Sequence, residues 1–281
     1  MKKHMSTIIM IAVFVCGLSL FLYPTLSDLY NDYLNKKLIG EYEDAFASID
    51  QETYEKAMQD AEAYNENFNN QDKLEELGLT YENVLNVANN GVMGYIEIPK
   101  ISVSLVIYHS IEEDLLQNGI GHMEGTALPI GGGSSHSVLA GHTGLPSAKL
   151  LTNLDHLRLG DTFTIHVLDE DLVYQIDDIS IVEPHEVSKI GVVSGKDYVT
   201  LVTCTPYGVN SHRLLVRGAR VDGNSVSGQG GIQVQNDIFN VDMKYLLTGS
   251  LIGIVVIYIV IRKVRKQIAK GGEKKCRGKR Q

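Results

Sequence analysis

Two uncharged apolar runs stand near the ends of the chain. The first covers residues 5–27 and the second residues 245–261. About 20 apolar residues suffice for a helix to cross a bilayer, so we expect two membrane anchors, the first within residues 1–27. A cleaved signal peptide is the alternative for the first run, and a buried core helix for the second. The absence of a small-residue cleavage site favours an anchor at the N-terminus, and the Lys/Arg-rich flank favours one at the C-terminus.

Between these runs the hydrophobic spacing changes. Residues 28–68 repeat apolar side chains at steps of three and four, which predicts a helix that packs on the next domain. Residues 69–91 are polar, which predicts a mobile connection with a short helix. From residue 94 the repeat becomes two, as in half-buried strands. Strands are expected at 94–98, 101–107, 136–140, 163–167, 172–183, 198–204 and 212–221.

Many short strands with few helices indicate a mainly β fold, a closed or nearly closed β-barrel over residues 94–221. A helical segment at 28–93 precedes it. Residues 222–244 are rich in Gly, Ser, Asn and Gln, which predicts a flexible linker to the second apolar run. The two anchors would therefore flank one folded domain.

The charge distribution predicts on which side of the membrane each segment lies. Residues 262–281 hold nine more basic than acidic side chains, although the whole chain carries a net charge of −9. Lys/Arg-rich flanks stay in the cytoplasm, so we expect both termini inside and the acidic middle outside the cell. The basic tail is best interpreted as a topology signal and a contact for anionic lipid. No feature favours nucleic acid as a partner.

The middle of the chain holds a single cysteine, Cys204, in the stretch TLVTCTPYGVNSHRLLVRG. If the strands at 198–204 and 212–221 pair, Cys204 and Arg213 meet across the hairpin mouth. A guanidinium there stabilises a thiolate, and also the oxyanion formed when a thiolate attacks a carbonyl. Thr203 and Thr205 add polar groups near the sulfur. A buried structural cysteine is the alternative.

A cysteine enzyme also needs an acid and base. Among nine histidines, His142 lies in the loop Gly-His-Thr-Gly that follows a predicted strand, where flanking glycines let a substrate approach. His136 and His212 remain rivals on spacing alone. A metal is not expected, since no carboxylate cluster at ligand spacing accompanies His136 and His142.

Three segments resemble the sortases, in the order and with the spacing of that family. TLVTC followed by Arg213 is similar to the sortase active-site signature, and SVLAGHTGL to the segment that carries the sortase histidine. The longer strings GYIEIPKI, GHMEGTALPIGG and TCTPYGVNSHRLLVRG are similar to class C sortases, the pilin-polymerising type. The resemblance covers residues 94–221 continuously.

The resemblance implies an eight-stranded sortase barrel and a membrane-anchored extracellular transpeptidase without a cofactor. By family analogy His142, Cys204 and Arg213 are the catalytic trio. Cys204 would cleave an LPxTG-like sorting signal between Thr and Gly, and the acyl group would pass to a lysine amine of a pilin subunit. Pilin or surface-protein substrates are the implied partners.

One feature departs from class C. These sortases commonly carry a lid with an Asp-Pro-aromatic motif, but no proline of this chain follows an aspartate. Residues 69–91 occupy the place of the lid, and a substitute lid would draw on Asp72, Leu74 or Leu77. Three alternatives to pilin polymerisation stay open: anchoring of proteins to the cell-wall peptide, plain cysteine hydrolysis, and a non-catalytic tethered adhesion or scaffold domain.

Overall fold

The computed structural model describes residues 2–221, in which eight strands form a closed barrel in the order β1-β2-β3-β4-β7-β8-β6-β5. The predicted linker, second anchor and basic tail lie outside the described residues. The strands are β1 (Val92–Ile98), β2 (Val103–Tyr108), β3 (Ile120–His122), β4 (Ser135–Ala140), β5 (Thr162–Val167), β6 (Glu170–Val182), β7 (Asp197–Thr205) and β8 (His212–Arg220). The eight-stranded barrel expected from the sequence is confirmed. The pattern of alternation did not predict the short strand β3.

The barrel interior follows from the two-residue repeat. In β5, Phe163, Ile165 and Val167 are fully buried, while the intervening His166 stacks on Tyr95 outside the barrel. Successive side chains of a strand point to opposite faces, so each strand supplies one apolar row to the core. These rows merge into one large cluster of buried side chains.

Residues 2–221 contain four α-helices besides the strands: α1 (Lys2–Ala47), α2 (Gln51–Asn67), α3 (Gln71–Leu77) and α4 (Glu113–Leu116). The helix expected over 28–68 is divided near Asp50, whose side chain accepts a hydrogen bond from the Thr53 backbone N–H at 2.9 Å. Such an N-cap satisfies an N–H that has no partner within the helix, so a new helix begins there.

The barrel has two ends that strand direction distinguishes. Parallel β4 and β7 both run toward the end that carries Cys204, and antiparallel β8 begins there. We call this the Cys204 end. β1 begins and β5 finishes at the opposite end, which we call the far end.

Residues 69–91, which the sequence led us to expect in the place of a lid, pack at the far end of the barrel. Tyr81 is buried and its hydroxyl lies 2.8 Å from Nδ1 of His122, and the carbonyl of Val84 lies 2.6 Å from Nε2 of His109. Of the three residues considered for a substitute lid, Leu74 is buried in the core while Asp72 and Leu77 are exposed. The segment therefore caps the barrel away from Cys204, and the mobile connection expected from its polarity is instead packed.

Among residues 2–221, one helix is long and apolar enough to cross a membrane, namely α1 from Met10 onward. Leu20 and Phe21 on this helix are 76% and 77% exposed, so they pack on no part of the barrel. This exposure is what a lipid-facing helix requires, because apolar side chains of that size are otherwise buried.

Candidate active site

The hairpin of β7 and β8 places the Cys204 thiol opposite a cationic side chain. Cys204 is directly opposite Arg213 in the antiparallel register, next to the pair Thr205 and His212. Directly opposed residues have Cβ atoms roughly 5 Å apart and project from the same face. The thiol and the guanidinium therefore share the outer face of the sheet, and both side chains are partly exposed.

The loop after β4 brings His142 beside this pair. β4 and β7 are in register up to Ala140 and Val202, and the Gly141 N–H donates to the Val202 carbonyl at 3.0 Å, which extends the ladder. The next residue, His142, thus lies level with Cys204. The loop closes on itself where the Leu151 N–H donates to the His142 carbonyl at 3.1 Å.

Thr203 links strand β7 to the loop that carries His142. Its hydroxyl is buried and donates to the Gly141 carbonyl at 2.8 Å. Since neighbours along a strand face opposite ways, Thr203 points away from the side on which Cys204 lies. It therefore supports the site through the backbone of the loop, while Thr205 lies on the strand just after the sulfur.

His142 has a charged neighbour from a distant element, whereas Arg213 contacts nearby backbone carbonyls. Oε1 of Glu113, on α4, lies 3.1 Å from Nε2 of His142. The Arg213 guanidinium donates to the carbonyl of Asn210 at 3.3 Å and to that of His212 at 3.1 Å. Carbonyl contacts hold the guanidinium in place without neutralising its charge, so it remains able to stabilise an anion.

An apolar patch lies on the same outer face, directly next to the trio. It consists of Val138, Val202 and Leu215, bordered by Met123, Ala140, Val182 and Ile190. Because Val202 precedes Cys204 by two residues, the patch continues the face on which the sulfur lies. Val138, Val202 and Leu215 are all buried, because side chains that include Ile190 of the loop between β6 and β7 pack over them.

His136 fastens the loop between β6 and β7 beside this patch. Its Nδ1 lies 2.9 Å from the Gly191 carbonyl and its Nε2 2.7 Å from the Thr200 hydroxyl. A neutral ring satisfies both contacts, donating from Nδ1 and accepting at Nε2. Burial lowers the pKa of His136, which keeps the ring neutral. His136, one of the rivals of His142 on spacing, therefore anchors the loop between β6 and β7.

His212, the third histidine considered, lies across from Thr205 with Nε2 3.4 Å from Oε1 of Glu183. Within residues 2–221, no group of three or more His, Cys, Asp or Glu side chains is arranged to hold a metal ion. The chemistry available at this site is that of the thiol, the imidazole and the guanidinium.

The fold and the site define a class of protein: a cysteine acyl-transfer enzyme built on a closed β-barrel. An apolar N-terminal helix precedes the barrel in the sequence. A model of the sortase domain matches residues 96–221. The chain is 45% identical to sortase C1 from Streptococcus agalactiae, with a TM-score of 0.62, covering 66% of this chain and 99% of that one. It is 40% identical to Clostridium perfringens sortase C, whose structure contains the C-terminal cell wall sorting motif, with a TM-score of 0.57 and coverage of 66% and 98%. Sortase A of Bacillus anthracis is 28% identical over 220 residues, 77% of this chain and 95% of that protein.

The chain belongs to the sortase family, whose members are cysteine transpeptidases. Its structural matches are class C sortases, so the assignment made from the sequence motifs is confirmed. Sortases are extracellular and membrane-anchored, and α1 supplies one candidate anchor.

Sequence reasoning missed Glu113 and the role of His136. The partners of both residues lie on elements distant in the sequence, which only the closed barrel brings together. For His136 the single hint was its position two residues before the apolar Val138 on the same face of the strand.

Proposed function

We propose that Cys204, His142 and Arg213 are the catalytic residues of a class C transpeptidase. It cleaves an LPxTG-like sorting signal between Thr and Gly and transfers the acyl group to a lysine amine of a pilin subunit. The observation that carries the proposal is the register: Cys204 opposes Arg213, and the ladder through Gly141 sets His142 level with both.

The reaction divides into two acyl transfers. The Cys204 thiolate attacks the threonine carbonyl carbon, the C–N bond to glycine breaks, and His142 gives its proton to the departing amine. A lysine amine then attacks the thioester and the C–S bond breaks. His142 takes the proton that this amine loses, so the enzyme returns to its starting state and an isopeptide bond is formed.

Arg213 stabilises charge at both steps. Each tetrahedral intermediate carries an oxyanion on the former threonine carbonyl, and a guanidinium across the hairpin is positioned to meet it. Fixed donors aimed at developing charge lower the barrier because they need no rearrangement during the reaction. Arginine is suited to this task since its planar fork cannot lose its proton.

The cluster of Val138, Val202 and Leu215 is buried on the outer face of the sheet, where Ile190 packs against it. His136 binds the same loop through the Gly191 carbonyl, so this loop borders the site. At the site itself Cys204 is partly exposed, while residues 69–91 pack at the far end. A peptide therefore needs no displacement of that segment before binding.

For topology, the proposal keeps both termini in the cytoplasm and uses two membrane helices, with the catalytic domain outside. The support is the pair of apolar runs, the MKK flank and the basic residues 262–281.

Intact-mass measurement tests the chemistry. Full-length protein in detergent is incubated with an LPxTG-type peptide, alongside Cys204→Ala and, as a matched control, Cys16→Ser. We expect an added acyl mass on wild type and on Cys16→Ser only. An adduct that persists in Cys204→Ala would refute the assignment of the nucleophile.

A second step identifies the acceptor. Loaded enzyme is offered a lysine-containing pilin peptide, a cell-wall peptide amine, or buffer. Release of an isopeptide-linked product with the first supports pilin polymerisation. Transfer only to the wall amine would replace it with wall anchoring, and loss of the acyl group to water alone would replace it with hydrolysis.

A further inference from the structure

Helix α1 is fastened to the barrel by a ladder of polar contacts that runs from one barrel end to the other. Oδ1 of Asp28 accepts from the Lys149 N–H at 2.7 Å, and Nδ2 of Asn31 donates to the Ser147 carbonyl at 2.7 Å. Both partners belong to the loop that follows His142. The first contacts along α1 are therefore made at the Cys204 end.

The next contacts along α1 lie progressively closer to the far end of the barrel. Asn35 donates from Nδ2 to the Asn118 carbonyl at 2.6 Å and accepts from the Val106 N–H at 3.1 Å, midway along the barrel. Tyr42 then donates to the Met93 carbonyl at 3.2 Å and accepts from the Leu168 N–H at 2.7 Å, at the far end. From Asp28 to Tyr42 a helix advances about 21 Å, which matches the height of such a barrel.

The N-terminal side of this ladder is apolar and exposed. Leu20, Phe21 and Leu26 are each more than half exposed. Tyrosines with exposed rings follow at Tyr30 and Tyr33, as in the aromatic belts that mark membrane–water interfaces. The membrane boundary on α1 therefore lies close to the residues that hold the His142 loop.

We propose that the barrel stands on the membrane with its Cys204 end toward the lipid surface and its far end pointing away. Asp28 is the first residue after the uncharged run, and Asp28 to Asn31 lie within about 6 Å of the end of that run along the helix. The headgroup layer is roughly 5–8 Å deep on each side of a bilayer, so the loop between residues 142 and 151 lies at its outer edge.

Two observations at the barrel ends agree with this orientation. Leu159, in the turn before β5 at the Cys204 end, is 66% exposed, as an apolar side chain near lipid can be. At the far end, α2 and α3 (residues 51–77) contain eight acidic and two basic side chains, which an anionic membrane repels. Pro24 lies inside α1. A proline kink tilts the helix axis by roughly 20° or more, which does not exchange the two ends of the barrel.

The orientation has a consequence that rests on the proposed function. A sorting signal held close to the bilayer would reach Cys204 directly, whereas an acceptor amine must also come down to the membrane surface. The far end, covered by α2 and α3, takes no part in this encounter.

Energy transfer to lipid headgroups tests the orientation without using activity. Full-length protein with Cys16→Ser, Cys204→Ala and Cys276→Ser receives one new thiol, Leu159→Cys or Asp169→Cys. These two exposed positions flank β5, whose residues span about 17 Å along the strand. Each variant is labelled with a donor fluorophore and reconstituted in phosphatidylcholine–phosphatidylglycerol vesicles that carry a headgroup acceptor in both leaflets.

We expect a greater loss of donor fluorescence for the Leu159→Cys label at every acceptor density. Equal loss at both positions means that the barrel lies on its side, and greater loss for Asp169→Cys means that it is inverted; either result overturns the proposal. Lys100→Cys and Glu170→Cys repeat the comparison if a first variant fails to fold by circular dichroism. Because Cys204 is absent throughout, the outcome is independent of whether it is the nucleophile.

Discussion

The hydroxyl of Thr203 provides a sharp test of how the histidine is held beside the nucleophile. Thr203→Val keeps the shape of the side chain but removes the donor to the buried Gly141 carbonyl. An acceptor left without a partner costs about 1–3 kcal/mol. For a domain of this size, each kcal/mol lowers the melting temperature by roughly 2–4 °C.

Stability alone does not isolate the hydrogen bond. Thr203→Ser keeps the hydroxyl but loses a buried methyl group, which costs about 1 kcal/mol by itself. The two variants are therefore compared by the motion of the loop. The amide of Leu151 donates to the His142 carbonyl and that of Gly144 donates to Oγ1 of Thr152. We expect both amides to exchange faster with solvent in Thr203→Val and at the wild-type rate in Thr203→Ser.

We expect kcat to fall in the variant whose loop is loosened and to stay near the wild-type value in the other. A misplaced base lowers the rate steeply, so kcat for acyl transfer should fall about ten- to a hundredfold in Thr203→Val and little in Thr203→Ser. KM should change less, since Thr203 points into the barrel and away from the face on which Cys204 lies. Wild-type exchange and turnover in Thr203→Val would refute the reasoning, and would mean that the bond from Gly141 to Val202 holds the loop alone.

Three further predictions concern other groups of the site and the barrel. Arg213→Ala should lower kcat about 10²–10³-fold, and Arg213→Lys should recover only part of this loss; equal rates for wild type and Arg213→Lys would contradict a role for the planar fork. Glu113→Gln should lower kcat/KM several-fold at low ionic strength and less in about 1 M salt, since salt screens the charge of this exposed carboxylate 3.1 Å from Nε2 of His142; a loss that salt does not change would argue for a steric role. Burial lowers the pKa of His122 to about 4. The unfolded chain therefore binds the proton of this histidine more readily than the folded chain does. Above about pH 6.5 the histidine does not change the unfolding free energy, and at about pH 4 it lowers the unfolding free energy by about 3 kcal/mol. The difference in unfolding free energy between wild type and His122→Gln should narrow over that interval, and a constant difference would contradict it.

The sequence by itself determined the class of fold and the segments that carry the chemistry. Alternation in residues such as Phe163, Ile165 and Val167 depends only on the two faces of a strand, so it predicts the barrel interior without any tertiary knowledge. The hairpin that pairs Cys204 with Arg213 is equally local, since both residues flank one short loop. The resemblance of the motifs to class C sortases then indicated the family correctly.

Only the tertiary structure decided which residues, far apart in the sequence, come into contact when the barrel closes. The polar composition of residues 69–91 suggested a mobile connection, but Tyr81 and Leu85 find a complementary surface at the far end, and composition carries no information about such a surface. The contacts of Asp28 with Lys149, and of Glu113 with His142, likewise join residues that share no period or motif. Each depends on the closed barrel, which sets the height of every strand and so decides which loops meet at the end that carries Cys204.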